Sequence, residues 1–117
     1  SVWEAAMAAS HFKLNNLFAI VDKNNLQQTG TNTEIMDTEN LADKWRSFGW
    51  ETEEVDGHNI EKLYNFFTSK VDIGKPKALI AKTIKGKGFS FSENNNNWHH
   101  SILSQKLYDL GIEELKK

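Results

Sequence analysis

A chain of 117 residues and 13.4 kDa is long enough for one core but short for a metabolic enzyme complete in itself, and 38% hydrophobic with 26% charged residues is an ordinary globular composition. Fourteen Lys and Arg against sixteen Asp and Glu, net charge -2, give no overall basic field for nucleic acid or anionic lipid, and zero cysteines exclude a disulfide framework, a thiolate zinc site and a cysteine nucleophile. No apolar run reaches the ~18 residues of a spanning helix and no secretory leader opens the sequence, so the expectation is a cytoplasmic protein without membrane or nucleic-acid partners.

In chain order, Trp3, Ala6, Met7, Ser10 and Leu14 recur at three- and four-residue intervals and predict a helix over residues 1–15, slim because of Ala5, Ala6, Ala8 and Ala9. Ser1 and Glu4 fit a capping box at its start. The run Leu17 to Val21 predicts a parallel strand covered on both faces, followed by a long irregular loop from Gln27 to Asp37. Leu41, Trp45 and Phe48 predict a second helix stopped by Gly49, and the alternation from Trp50 to Val55 a strand exposed on one face. Ile60, Leu63, Tyr64, Phe67 and Val71 share one helical stripe, which Gly74-Lys75-Pro76 breaks before a third short strand, Ala78 to Ala81. Ser92 to Asn97, with four consecutive asparagines, is expected as a surface loop, and a last helix is expected to finish near Gly111. Strands separated by helical patterns give an α/β class: an open, mostly parallel sheet flanked by helices, with residues 1–117 forming one domain. A three-stranded sheet leaves a buried-type strand short of neighbours, so the chain is expected to be incomplete or covered by another.

In such sheets ligands bind beyond the carboxyl ends of the strands. The segment Asp22 to Gln27 offers amide oxygens and main-chain carbonyls, hard ligands suited to Mg²⁺ or Ca²⁺, although turn preferences alone favour a plain strand-end turn. His99 and His100 beside Trp98 could supply an imidazole near neutral pH, or two solvated loop histidines. His11 and His58 have no constellation around them and read as surface or capping residues. Lys85-Gly86-Lys87-Gly88 lacks the earlier glycine and following hydroxyl of a P-loop, leaving a flexible loop that carries cations over a pocket.

Ser1 to Leu14, Leu17 to Asn24, Ala42 to Trp50, Val55 to His58, Gly74 to Pro76, and Lys82 to Gly88 followed by Trp98-His99 together resemble, collinearly over nearly the whole chain, the thiamine-diphosphate-binding half of the transketolase family. The resemblance implies transfer of a two-carbon ketol unit between sugar phosphates, with thiamine diphosphate and Mg²⁺ (or Ca²⁺) as cofactors. Asn24 matches the terminal Asn of the family's cofactor motif, whose side-chain oxygen binds the metal. Leu26 matches a position whose main-chain carbonyl is a ligand. His99 matches the histidine that lies over the cofactor and assists proton transfers, with His100 as the neighbour in register. Glu4 matches an acidic position at the dimer interface, where the family links its active sites.

The resemblance also implies partners: a second copy of the chain, a separate pyrimidine-binding subunit, or both. The family's Gly-Asp-Gly segment, with the metal's charged ligand, would lie upstream of Ser1, so the isolated chain is expected to be inactive. The alternative is a non-catalytic remnant of the same fold that associates through the Ala-rich helix and Glu4.

Overall fold

The computed structural model of the protein describes residues 1–70 and 74–116, which cluster into two compact units. Val71, assigned above to a helical stripe, lies outside the described residues.

The first unit comprises Ser1–Lys23 and Thr38–Thr83. Its centre is a fully parallel three-stranded sheet ordered β1 (Phe18–Lys23), β5 (Lys77–Lys82), β4 (Glu51–Asp56). The α/β expectation is met, with helix α1 (Val2–His11) leading into β1 and helices α3 (Leu41–Ser47) and α4 (Ile60–Thr68) in the connections. Alternation along β5 divides the core. Ala78 and Ile80 point to one side, where they pack with Ala6, Ala9, Ala42, Trp45 and Trp50; Leu79 and Ala81 point to the other, with Val55 and Phe66. Ala6 and Ala9 of α1 thus allow close approach to the sheet, and the Trp50 indole N–H donates to the Ala6 carbonyl at 2.9 Å, tying the helix to the start of β4. Lys77 is fully buried at the head of the central strand, where its ammonium donates to the Ser69 hydroxyl at 2.6 Å and stands 3.6 Å from Glu51.

Several boundaries differ from the sequence expectation for identifiable reasons. Helix α1 ends at His11 because Lys13 takes a left-handed φ of 53°, and the Lys13 and Leu14 amides bond back to Ser10 and Ala9 in a Schellman pattern that usually employs glycine. Only half of the expected capping box forms: Glu4 reaches the Ser1 nitrogen at 3.0 Å, but the Ser1 side chain caps nothing. Gly49 does stop α3, with φ 88° and the same pair of return bonds. Strand β1 is parallel but not covered on both faces. It is an edge strand on which Phe18 packs against Phe66 and Phe67 while Ile20 stays 60% exposed, because α4 reaches only the first of these two residues.

The second unit comprises Asn24–Asp37 and Ile84–Lys117, of which Lys117 lies outside the description. The expected loop after Gln27 is instead a hairpin, β2 (Leu26–Gln27) with β3 (Gly30–Thr31), followed by the short helix α2 (Asn32–Ile35). Polar composition concealed it, since two-residue strands leave no readable alternation. A full capping box starts α2: the Thr31 side chain meets the backbone of Glu34, and Glu34 accepts from the Thr31 amide at 3.0 Å. Helix α5 (Gln105–Glu114) runs through Gly111 rather than stopping there. Gly111 is buried against Phe89, where a Cβ would sit 3.3 Å from the ring, so its missing side chain serves packing rather than termination.

Candidate functional site

Parallel register brings Lys23, Lys82 and Asp56 level at the carboxyl ends of β1, β5 and β4. Asn24 is the next residue along the chain from β1, and it opens a turn that the local chemistry dictates. Its Oδ1 accepts the Leu26 amide at 3.0 Å, an Asx turn, and Asn25 occupies the left-handed region at φ 61°, which Asn tolerates better than most side chains. The hairpin then fixes the direction of the Leu26 carbonyl. Gln27 faces Gly30 and Leu26 faces Thr31, while the Asn32 amide bonds to the Asn25 carbonyl at 3.0 Å. In an antiparallel ladder bonded and non-bonded pairs alternate, so Leu26 and Thr31 form a non-bonded pair. The Leu26 N–H and C=O therefore both point out of the ladder, on the edge where Asn24 meets that amide.

Two hard neutral oxygens, Asn24 Oδ1 and the Leu26 carbonyl, thus share one edge. Oxygen donors of this kind fit Mg²⁺ or Ca²⁺ and not a thiophilic metal. Among the described residues no group of three or more His, Cys, Asp or Glu side chains is placed to hold a metal. A hard cation at this edge would take its remaining ligands from groups such as phosphate oxygens and water.

His99 lies in the same unit, at the end of a 3₁₀ turn, Asn96–His99, which begins in the segment Ser92 to Asn97 expected as a surface loop and runs two residues past it. The asparagines build that turn. Asn94 adopts φ 51°, the Asn95 side chain accepts the Asn97 amide at 3.1 Å, and its Nδ2 donates to the Phe91 carbonyl at 3.2 Å. Trp98 anchors the turn, its ring 5.1 Å from Phe91, which in turn stacks on Phe89 at 5.6 Å. His99 itself is exposed, with its ring edge-on to His100 at 4.5 Å and its Nδ1 3.4 Å from the Lys85 ammonium. The sequence shows the Lys85 loop only as a source of cations; the contact with His99 joins residues fourteen positions apart, and nothing in their spacing announces it.

Glu4 falls in the first unit, exposed on the first turn of α1. Hydrogen bonds from its own backbone amide and from the chain's amino terminus hold its carboxyl below the ordinary glutamate range. Its position leaves it open to solvent and to any neighbouring surface.

Comparison with known proteins places these features in context. The family described as the thiamine diphosphate binding domain of transketolase matches residues 2–116. The chain is 40% identical over its whole length to one subunit of the apulose-4-phosphate transketolase of Phocaeicola vulgatus, and 46% identical over 98% of its length to transketolase-like protein 2 of Mus musculus. It covers 42% of the former and 18% of the latter. The crystal structure of transketolase from Campylobacter jejuni superposes on 97% of the chain with a TM-score of 0.84 at 27% identity, the chain covering 18% of that protein.

Proposed function

The chain belongs to the transketolase family, as thiamine-diphosphate-binding domain, and from that premise we propose that it is part of a cofactor-binding transketolase subunit that moves a two-carbon ketol unit between sugar phosphates. The observation that carries this reading is the shared edge of Asn24 and Leu26. A side-chain oxygen and a main-chain carbonyl, oriented by one Asx turn and one hairpin, would offer two hard ligands to Mg²⁺ or Ca²⁺ held together with a diphosphate. When bound, thiamine diphosphate supplies the carbanion chemistry; the protein binds, orients and manages protons.

In this reading Asn24 and Leu26 hold the metal, and His99 lies over the cofactor and gives or takes protons at the substrate oxygens. Glu4 stands at the interface with a partner, either a second copy or a separate pyrimidine-binding subunit. Relatives described as single subunits of a transketolase support the second form of partner. The setting is cytoplasmic carbohydrate metabolism. Residues 1–117 act as a single domain contribution to that site. Two neutral oxygens are a weak set for a divalent cation, which normally keeps one or two carboxylates among its ligands. The isolated chain is accordingly expected to show no turnover, the charged ligand coming from a Gly-Asp-Gly segment of the parent protein.

Calorimetric titration of thiamine diphosphate with Mg²⁺ tests this, using the 117-residue chain beside a longer version that carries the Gly-Asp-Gly segment. Binding is expected only for the longer version, and Asn24→Ala in it should weaken binding about tenfold or more, since it removes a metal ligand and the acceptor for the Leu26 amide together. Equal affinity in the presence and absence of the Asn24 amide would overturn the metal assignment.

A further inference from the structure

Lys85 and His99 are held at the two ends of one closed loop. The Asn94 amide donates to the Lys85 carbonyl at 2.9 Å, and the buried Ser92 hydroxyl donates to the Gly86 carbonyl at 2.8 Å. Gly86 itself sits at φ 71°, where a Cβ would come within 2.4 Å of the Ser92 carbonyl oxygen. These bonds fix the backbone from which the Lys85 side chain springs. At the other end the Asn95 cap and the Trp98 ring contact fix the turn that bears His99. The approach of Lys85 Nζ to His99 Nδ1 at 3.4 Å therefore joins side chains that spring from two anchored stretches of backbone.

The chemistry of the pair admits one arrangement. A lysine ammonium has three donors and no acceptor, so the nitrogen facing it must present a lone pair. In a neutral imidazole that places the proton on the other nitrogen. We propose that Lys85 is a positioning residue that fixes His99 in the Nε2–H tautomer, so that the outward nitrogen donates a hydrogen bond to an oxygen of a bound sugar or cofactor. The role of His99 toward substrate rests on the function proposed above; the tautomer does not, because the contact lies within this chain. His100, edge-on to the same ring, is the alternative source of any bias.

Two-bond proton–nitrogen correlation spectra of the imidazoles read the tautomer directly, on the 117-residue chain without cofactor, at a pH of about 8 where an ordinary imidazole is neutral. His99→Gln identifies the His99 signals by their loss. The wild-type ring is expected to favour Nε2–H by about twentyfold or more, well above the preference that a solvated histidine already has for the same tautomer, the added bias a charge-assisted hydrogen bond supports. Lys85→Met should lower the ratio about fivefold, to that of a solvated histidine, Lys85→Arg should retain the bias, and His100→Gln should leave it unchanged.

An Nδ1–H ring in the wild type, or the same ratio in wild type and Lys85→Met, would overturn the proposal. Bias lost only in His100→Gln would do the same and assign the effect to His100. Retention of the bias in Lys85→Arg decides the matter even if Lys85→Met perturbs the loop, as dispersion of the Trp98 indole signal would reveal. Failure of the calorimetric experiment would remove the substrate for this donor while leaving the tautomer as measured.

Discussion

Asn24 and Glu34 show how single polar side chains set the backbone of the second unit. Each accepts a main-chain amide at 3.0 Å, Asn24 from Leu26 and Glu34 from Thr31, and each sits where the chain changes direction. An amide acceptor is indifferent to pH, whereas a carboxylate is not. The Thr31 amide, and then the Thr31 hydroxyl at 2.7 Å, hold the Glu34 carboxyl below the ordinary glutamate range. A carboxyl whose folded pKa is depressed contributes stability above its unfolded pKa, about 4.3, and loses it as pH falls through the lower folded value. The start of α2 should therefore fray below about pH 4 while the Asn24 turn persists. Amide exchange of Thr31 and Leu26 followed from pH 6 to pH 3 distinguishes the two: protection at Thr31 should fall after correction for intrinsic rate, and protection at Leu26 should not. Glu34→Gln, which retains an acceptor without the charge, should remove the pH step.

Among elements, the contrast lies between those with long apolar periods and those built by turns. Helix α3 was legible because Leu41, Trp45 and Phe48 repeat at helical spacing and Gly49 marks the end, and β5 because Ala78 to Ala81 is an unbroken apolar run behind Pro76; β4 was read from Trp50 to Val55, although inside the strand only Thr52 and Val55 are buried. The β2–β3 hairpin and the 3₁₀ turn before His100 were not, because asparagines and a capping box shape them and such side chains serve loops equally well. Gly111 misled for a related reason: glycine after an apolar stripe resembles a helix stop until the Phe89 ring that occupies its face is known. Of the candidate site, Asn24, Leu26 and His99 are proposed from family resemblance, whereas the outward carbonyl of Leu26 and the Lys85 contact emerge only from ladder register and loop closure. The closed loop also makes a sharp prediction. Gly86→Ala forces a side chain into the left-handed region and against the Ser92 backbone, so it should destabilise the protein by roughly 2 kcal/mol or more and expose the Asn94 amide to exchange. Denaturant unfolding monitored beside Asn94 exchange checks both, and an unchanged midpoint would mean that the loop opens at little cost.

For the molecule as a whole, the edge position of β1 matters most. A run of Phe18, Ala19, Ile20 and Val21 has the composition of an interior strand, yet β1 has a hydrogen-bonded neighbour on one side alone among the described residues. Val2, 62% exposed, and Ile20, 60% exposed, border an open depression of about 650 Å³ that Trp3, Val21, Leu41 and Trp45 also line. Such an edge offers unpaired backbone groups and apolar area to the same partner, and proteins ordinarily blunt this with an inward-pointing charge. The chain spans 42% of the Phocaeicola vulgatus relative that it matches over its whole length, and the 117 residues on their own should self-associate through this strand. Ile20→Lys places an ammonium at the border of the depression on a residue that contributes little to the core, so unfolding free energy should move by less than about 0.5 kcal/mol. Sedimentation equilibrium over a range of loading concentrations should show the wild-type chain rising in average mass and the variant remaining near 13.4 kDa. A wild-type chain that stays monomeric across that range would show that the twist and shortness of the six-residue strand suffice to protect its edge.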